Sequence, residues 1–330
     1  MTTQANLTSS EVANLWSAYN DNSATVIKMN YVLAIMEDNE IRPIVEKTQQ
    51  FAEQNIEQIK QIYQNEEHAI PKGFTDADVD LTAPRLFADS FFLVFLQNKL
   101  TMNLNSYTVG LTHSTRSDIR DFFTQGIDTS EQLFNETTDL MLSKGIYARS
   151  PFIPVPKTAD TVERQNFLTG WLGNRRPLTS IEIDQLFFNI QRNAVGHALL
   201  IGFSQVAKAK EVREYMRRGA DIAEKHIKVL NSVLMEEDLP ASLIWSSNIE
   251  ETTASPFSDK LLMFEVSGTT QAGVGYYGQS LAAAQRRDLG SHYMRVLTES
   301  LEYGEDGANL SIKHAWLEEP PQAVDRRRKV

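Results

Sequence analysis

The sequence repeats itself once, and this internal repeat constrains the fold more than any other feature. Residues 7–12 (LTSSEV) match residues 178–183 (LTSIEI), and the same offset of about 170 residues continues along the chain. Further matches are 40–42 with 211–213, 52–53 with 223–224, Phe87 with Phe257, Asp89 with Asp259, Arg116 with Arg286, Asp118 with Asp288, Lys144 with Lys313, Tyr147 with Trp316 and Pro151 with Pro320. Because the copies have almost no insertions, the sequence predicts one fold used twice, in two domains that each bury a core.

The composition narrows the class of protein. The chain has 330 residues, of which 42% are hydrophobic and 23% charged, as in ordinary globular proteins. It has no cysteine, which excludes disulfides, thiolate metal sites and cysteine nucleophiles and fits a cytoplasmic location. A net charge of −11 opposes nucleic-acid binding, and the single basic run is at residues 326–329. The polar start of the chain and the lack of any stretch of about 18 apolar residues predict no membrane partner.

Each copy opens with a helix-start signal. Thr8 can cap the N–H of Glu11 while the Glu11 carboxylate bonds back to Thr8, and Leu7 can pack on Val12 as a hydrophobic staple. Residues 178–183 repeat this arrangement in the second copy. Apolar residues then recur with helical period over about 28 residues, which predicts one long helix in each copy.

Four helices are predicted in each copy. In the first copy the second helix follows a cap at Asp38 or Asn39, the third spans residues 84–114, and the fourth runs from Thr115 to Lys144 with Gly145 as its stop. Thr115 and Asp118 offer a capping pair for this last helix. The link at residues 70–83 is long enough to cross the bundle from end to end, so a ferritin-type crossover is favoured over a meander, although spacing alone does not decide it.

Several blocks of the sequence carry a resemblance to a known family. They are GFTD at 73–76, RSDIRDF at 116–122, PFIPVP at 151–156, GFSQVAK at 202–208, SPFSDK at 255–260 and DGAN at 306–309. With the Leu-Thr-Ser-x-Glu starts, the chain resembles the uncharacterised family catalogued as domain of unknown function 3231, over nearly its whole length. The resemblance implies tandem ferritin-like bundles found mainly in spore-forming Bacillus-type bacteria, and no established activity.

We therefore predict an all-α fold of two tandem ferritin-like four-helix bundles related by internal duplication. The predicted boundaries are 1–157 for the first bundle, 158–177 for an ordered linker and 178–330 for the second bundle. The linker contains Phe167 and Trp171, large aromatic residues that an unstructured linker would not need, so we expect it to pack against one or both bundles.

The usual di-iron motif of ferritin-like bundles is absent. That site uses Glu-x-x-His, because residues three apart share one face of a helix. The six histidines are His68, His113, His197, His226, His292 and His314, and none has an acidic residue three positions before it. The sequence therefore lowers the expectation of iron oxidation or storage.

A weaker constellation remains in the second copy. His197 and Glu265 interrupt apolar helix stripes at places where the first copy has Val26 and Phe95. The candidate metal ligands are His197, Glu224, His226 and Glu265, which would suit iron, manganese or zinc. The alternative is a buried polar cluster in which His197 and Glu265 bond to each other or to Asn193. Asn193 itself matches Asn22 of the first copy, and a buried amide that fixes helix register is the expected role of this pair.

Residues 273–278 spell G-x-G-x-x-G, but the flanks predict helix on both sides, so this is no dinucleotide fingerprint. We expect these glycines to let another helix approach closely, or to loosen their own helix beside a cavity. The predicted position of a small apolar ligand is near Gly273, Gly275, Tyr276 and Gly278.

The function predicted first is a non-catalytic structural or interaction role linked to sporulation or stress, with a protein partner or a second copy of the chain. The missing Glu-x-x-His motifs and the lack of a nucleophile constellation favour it. The second hypothesis is a metal-binding protein or metal-dependent oxidoreductase with one degenerate site in the second bundle. The third is binding of a small molecule beside the glycine-rich helix.

Overall fold

The computed structural model describes residues 5–171, 175–239 and 248–323, and over these ranges the protein is all-α. The described helices are α1 (Ser9–Ile35), α2 (Arg42–Asn65), α3 (Asp89–Thr112), α4 (Ser117–Ser143), α5 (Ser180–Val206), α6 (Lys210–Met235), α7 (Asp259–Ala283) and α8 (Arg287–Lys313), with short 3₁₀ turns at Asp76–Asp78 and Gln165–Leu168. The prediction of two tandem four-helix bundles is confirmed. The basic run at 326–329 and linker residues 172–174 lie outside the described ranges.

The long link between α2 and α3 is a crossover. The N–H groups of Glu37 and Asp38, just after α1, bond to the Asp89 carboxylate at the start of α3 at 3.0 and 2.7 Å. The start of α1 lies instead beside the start of α4, where Glu11 accepts a bond from the N–H of Thr115. Helix α3 is therefore antiparallel to α1, and residues 66–88 travel the length of the bundle, as in ferritin-type connectivity.

A buried glutamate joins two helix starts in each half. Glu11 completes the predicted capping box with Thr8 and also accepts N–H bonds from Thr115 and Arg116 at 2.8 and 2.9 Å. Glu182 likewise completes a box with Thr179 and accepts the N–H of Arg286 at 3.0 Å. A carboxylate suits this place, because two helix N-termini direct unpaired N–H groups towards it.

The bounds of some helices differ from the predicted ones. Helix α3 begins at Asp89, because residues 84–88 are held extended by the other half. Helix α4 begins at Ser117 with no side-chain cap, because Thr115 bonds to Glu11 instead. Asp38 accepts the N–H groups before α2 without capping it. Gly145 does end α4, with a φ of 68°.

The end of the repeat also differs from the predicted alignment. Helices α4 and α8 end at Ser143 and Lys313, and the left-handed residues that follow them are Gly145 and Ala315. The offset in residue number between α4 and α8 is therefore the same at their starts and at their ends. The predicted matches of Lys144 with Lys313 and Tyr147 with Trp316 are shifted by one residue.

The crossovers of the two halves pair with each other. Val79 forms an antiparallel bridge with Phe257, and Phe87 forms its symmetric counterpart with Ile249. Four main-chain bonds of 2.8–2.9 Å accompany these bridges, two at each. Gly202 of α5 makes room for this seam, because a Cβ there would lie 2.4 Å from the ring of Phe87.

Helices α1, α3, α5 and α7 are buried on more than one face, which places them in the centre of the molecule. Residues at consecutive positions are buried in each, as at 91–94 in α3 and 198–200 in α5. One core cluster contains residues from all eight helices, and a smaller cluster lies in the second half. The two halves thus share apolar core across their seam, in addition to what each buries alone. None of the described helices has the length and apolar character needed to cross a membrane.

The linker contacts the second half. The Phe167 ring lies against the Arg176 guanidinium, 3.9 Å from the ring centroid, and Arg176 in turn pairs with Glu182. Trp171 is 66% exposed, so it does not pack as expected. The predicted domain boundaries at 157 and 177 stay a prediction.

Two tyrosines of the second half form a reciprocal pair. The rings of Tyr215 and Tyr303 stack 4.3 Å apart, and each hydroxyl donates to the other's carbonyl oxygen, at 3.2 and 3.3 Å. Each hydroxyl also lies over a glycine: a Cβ at Gly219 or Gly307 would come within 2.2 Å of it. The pair therefore requires glycine at both places.

We expect Gly219→Ala to lower the free energy of unfolding by about 1–3 kcal/mol, because the added methyl group overlaps Tyr303. Urea unfolding monitored by circular dichroism measures this. Gly304→Ala in α8 is the control: a Cβ there meets nothing closer than 3.6 Å, so helix propensity raises stability by about 0.5–1 kcal/mol. Equal effects of the two substitutions would contradict the assigned role of Gly219.

The paired glutamates predict a loss of stability in acid. Burial raises the pKa of Glu11, but N–H bonds from Arg116, Thr8 and Thr115 outweigh it and lower the pKa to about 2, from 4.5. For Glu182, burial is likewise outweighed, chiefly by bonds from Arg176 and Thr179, and the pKa is lowered to about 2. Carboxylates with lowered pKa stabilise the fold above their unfolded pKa, and this contribution is lost as pH falls through the folded value.

We therefore expect the free energy of unfolding to fall between pH 4.5 and about 2. In the Glu11→Gln variant the free energy of unfolding should be lower by about 1–3 kcal/mol at pH 7, because the charged acceptor is lost. The decrease of this free energy in acid should also be smaller than in the unaltered protein. Urea titrations across this pH range measure both quantities. Glu136→Gln, at an exposed pair with Lys47, serves as the control, and an equal change there would refute the role given to Glu11.

Candidate functional site

A cavity of about 130 Å³ lies where the two halves meet. Helix α3 of the first half lines one side of it, with Phe95 and Met102 among its residues, and helices α5 to α8 line the rest. The lining extends from the seam into the second bundle, as far as His226 and Tyr303. Apolar atoms form most of its surface, but many of the lining residues have polar or charged side chains. A concave apolar surface with polar groups directed into it is typical of a small-molecule site.

Three residues of the lining are smaller than their counterparts in the first copy. Gly196, Thr270 and Gly273 line the cavity, at positions that match Thr25, Leu100 and Asn103 of the first copy. All three first-copy residues are buried. A Cβ at Gly196 or Gly273 would meet nothing within 4 Å, so neither glycine is required by a neighbouring atom.

The glycine-rich segment lies in the middle of α7, whereas a dinucleotide fingerprint follows a strand and opens a helix. The prediction that these glycines bring another helix close is wrong, since a Cβ at Gly273, Gly275 or Gly278 would meet open space. Of the predicted ligand positions, Gly273 lines the cavity, whereas Gly275 is exposed and Tyr276 packs on Phe188 at a centroid distance of 5.3 Å.

Two ion pairs lie beside the cavity, one of them buried on both sides and the other with a partly exposed carboxylate. Lys28 of α1 pairs with Glu265 of α7, and both side chains are buried at 6% and 9% exposure. Lys28 also lies over the ring of Phe95, 5.2 Å from its centroid. Lys99 of α3, another buried lysine, pairs with Asp21 of α1. Both lysines therefore have a carboxylate partner.

Arg192 also lines the cavity, but across the described residues no carboxylate pairs with it. Its guanidinium lies over the rings of Tyr276 and Phe188, 3.9 and 4.4 Å from their centroids. Across the described residues it makes no ion pair, and its buried Nε has no hydrogen-bond acceptor. The Tyr276 ring is held in turn by Asn105 of α3, which donates to its hydroxyl at 2.9 Å. Burial lowers the pKa of Arg192, against a smaller opposing effect of Tyr276.

In each bundle, one tyrosine hydroxyl forms hydrogen bonds with polar side chains of neighbouring helices. In the first half, the Tyr107 hydroxyl lies 3.2 Å from Asn22 Nδ2 and 3.0 Å from Asn55 Nδ2. These bonds fit the expected role of Asn22 in helix register. They join three helices, so they fix the relative positions of α1, α2 and α3.

The second half repeats this cluster with a histidine in place of Asn55. The Tyr277 hydroxyl lies 2.7 Å from Asn193 Nδ2 and 3.1 Å from His226 Nδ1, and His226 Nε2 is 3.0 Å from Glu299. Burial lowers the pKa of His226, although Glu299 acts in the opposite direction. Both ring nitrogens of His226 are therefore engaged.

The structure places the four predicted metal ligands in different surroundings. Glu265 bonds to Lys28, and Glu224 is exposed and pairs with Lys228. His226 is engaged by Tyr277 and Glu299, as above. His197 is half-buried, and burial lowers its pKa, against the effect of the nearby Glu224.

The two alternatives predicted for His197 and Glu265 are not formed. Glu265 is paired with Lys28, and the Asn193 amide is taken by Tyr277 and by Asn189. Within the described ranges, no three His, Asp or Glu side chains are grouped so that they could hold one ion. The metal site stays a prediction without a geometric basis in these residues.

Lys28, Lys99 and Arg192 were missed by the sequence reasoning, which searched for histidine and carboxylate motifs. The repeat carried a signal for them. Position 192 is arginine where the first copy has Asp21, and position 269 is threonine where it has Lys99. A comparison of charges between the copies would have singled out Arg192.

Comparisons with known proteins give the family. The model of the family described as "Protein of unknown function (DUF3231)" matches residues 1–158 and again residues 166–328. The chain belongs to this family. Two matches place the DUF3231 unit in tandem, in agreement with the duplication in the structure. No curated protein matches the chain.

Two solved structures are similar to this DUF3231 protein. One is a candidate spore coat protein from Bacillus halodurans C-125, with 17% identity, a TM-score of 0.39 and coverage of 47% of this chain and 98% of its own. The other is a two-domain protein with DJ-1/ThiJ/PfpI-like and ferritin-like domains from Anabaena variabilis ATCC 29413, with 10% identity, a TM-score of 0.34 and coverage of 69% and 77%. Likenesses at this level identify no shared activity.

The buried ion pair at the seam makes a direct prediction. Lys28→Met should lower the free energy of unfolding by about 3–5 kcal/mol, because it leaves the Glu265 charge buried without a partner. The double variant Lys28→Met/Glu265→Met should recover most of this loss, since both charges are gone. Denaturant titrations of the three variants measure the difference. Lys47→Met, at an exposed pair with Glu136, is the matched control and should cost less than about 1 kcal/mol.

Proposed function

We propose that this protein binds a small molecule in the cavity between its halves. The observation that carries the proposal is an unfilled space of about 130 Å³ bounded by Gly196 and Gly273, where an added Cβ would meet no atom within 4 Å. An apolar cavity of about 150 Å³ in another protein holds benzene, so the space here suits a body of about six non-hydrogen atoms. The proposal agrees with the non-catalytic role expected from the sequence and adds that the protein binds a ligand.

The polar groups of the cavity support binding over catalysis. Asn193 and His226 each bond to the Tyr277 hydroxyl, and His226 is further held by Glu299. Fixed in this way, they can position a ligand, but each is committed to a partner. A general base needs a free nitrogen or oxygen within reach of the substrate, and the imidazole of His226 has both nitrogens in use.

The test is a fragment screen with a variant that fills the cavity. We expect molecules of about six to nine non-hydrogen atoms to bind with micromolar to millimolar Kd, as small ligands do. Gly273→Leu should abolish this binding, because its side chain occupies the space that the ligand needs. Ligand-observed NMR and isothermal titration calorimetry on the full chain measure the binding.

Gly275→Leu is the matched control for this test. It lies on the same helix, gains the same helix propensity and has an exposed position outside the lining. Binding should survive in this variant. If no fragment binds the unaltered protein, or if bound fragments remain in Gly273→Leu, the cavity is not a ligand site.

A further inference from the structure

The structure points to the chemical class of the ligand. We propose that the cavity takes a small monocarboxylic acid, whose carboxylate binds Arg192 and whose apolar body fills the space beside Gly273. This inference rests on the proposed function, and it adds the charge and the orientation of the ligand. Three observations carry it: the loss of an ion pair between the copies, the surroundings of Arg192, and the balance of charge in the lining.

The first observation comes from the duplication. In the first half, Asp21 of α1 and Lys99 of α3 form an ion pair between neighbouring helices. The matching residues on α5 and α7 are Arg192 and Thr269, so the second half has reversed one charge and removed the other. The second half therefore has a cation at Arg192, and Thr269 provides no carboxylate to pair with it.

The second observation is how Arg192 is held. Two aromatic rings pack on its guanidinium, and the Nε is buried without an acceptor among the described residues. Stacking on rings fixes the plane of a guanidinium but leaves its N–H edges free, and these edges match the two oxygens of a carboxylate. Because the Nε itself has almost no accessible surface, a carboxylate would bind the two terminal nitrogens of the guanidinium, which make no ion pair across the described residues.

The third observation is the sum of charges around the cavity. Lys28 is neutralised by Glu265, and Lys99 by Asp21. The lining therefore keeps one net positive charge, at Arg192, in a chain whose net charge is −11. A ligand with a single negative charge completes the balance, whereas a second negative charge would have no partner in the lining.

The size and the wall of the cavity define the rest of the ligand. A space of about 130 Å³ accepts about six non-hydrogen atoms, and Val195, Leu199 and Ile222 contribute apolar surface to it. The ligand class is thus a compact aromatic or short aliphatic acid. Larger acids of the long-chain fatty type exceed the space.

The experiment compares acids with amides of the same shape. Benzoate and hexanoate are titrated into the full-length protein by calorimetry, beside benzamide and hexanamide. We expect the acids to bind at least about tenfold more tightly than the amides at pH 7.5, because only the acids pair with Arg192. Arg192→Gln should remove that preference.

Matched variants separate the role of Arg192 from general charge and from folding. Arg217→Gln removes the same charge from an exposed residue of α6, outside the lining, and should leave the preference intact. Arg192→Asp/Thr269→Lys installs the ion pair of the first half, and this variant should fold, as judged by circular dichroism, and bind neither acid.

The outcomes distinguish this inference from the proposed function. Equal affinity for acids and amides, lost in Gly273→Leu, would overturn the carboxylate assignment and leave the ligand site standing. A preference for acids that survives in Arg192→Gln would overturn it as well. If neither acids nor amides nor any screened fragment binds, both the inference and the proposed function fail.

Discussion

Helices α1, α3, α5 and α7 each bury two faces, and the rest of the structure depends on this constraint. A helix in an isolated four-helix bundle buries one apolar stripe, but these four helices are buried at consecutive positions and must pack against neighbours on two sides. Each half supplies the second set of neighbours for the other. The crossovers follow, because joining the halves along these helices brings Val79 to Phe257 and Phe87 to Ile249. The extended residues before α3 and α7, the shared core and the cavity are consequences of this contact.

The seam also explains why polar groups lie in the core. Lys28 and Glu265 come from opposite halves and are 237 residues apart in sequence. Asn105 and Tyr276 meet across the same contact. Paired groups of this kind contribute little net stability, but an unpaired member is costly, so they favour one relative placement of the halves over sliding. The relative placement, in turn, keeps Phe95 and Lys99 at the edge of the second bundle's cavity.

The sequence predicted the parts of the fold that depend on local chemistry. The capping boxes of Thr8 and Thr179, the stop at Gly145 and the four-helix count rest on spacing within one segment, and the structure agrees with them. The start of α3 was placed too early, because residues 84–88 are held extended by Asn248 and Ile249 of the other half. Local patterns contain no information on such distant partners.

The candidate site was harder to predict for the same reason. Glu265 was singled out as an ionisable residue on an apolar stripe and His226 as a further candidate ligand, and both line the cavity, whereas His197 does not. Their partners, Glu299 and Lys28, come from other helices and change what they can do. The search for metal motifs also passed over Arg192, although its match with Asp21 in the first copy was visible in the sequence.

The cavity and Arg192 both lower the stability of the second half, and this cost argues for a function. An unfilled space beside a core forfeits packing contacts that a filled one would make. Gly196 and Gly273 add the low helix propensity of glycine, in places where no neighbour requires them. The first half fills the same positions with Thr25 and Asn103 and pairs Asp21 with Lys99. Since the same fold can be packed and charge-balanced here, the open space and the unpaired guanidinium are better explained by a bound ligand, which stabilises the folded state in proportion to its occupancy.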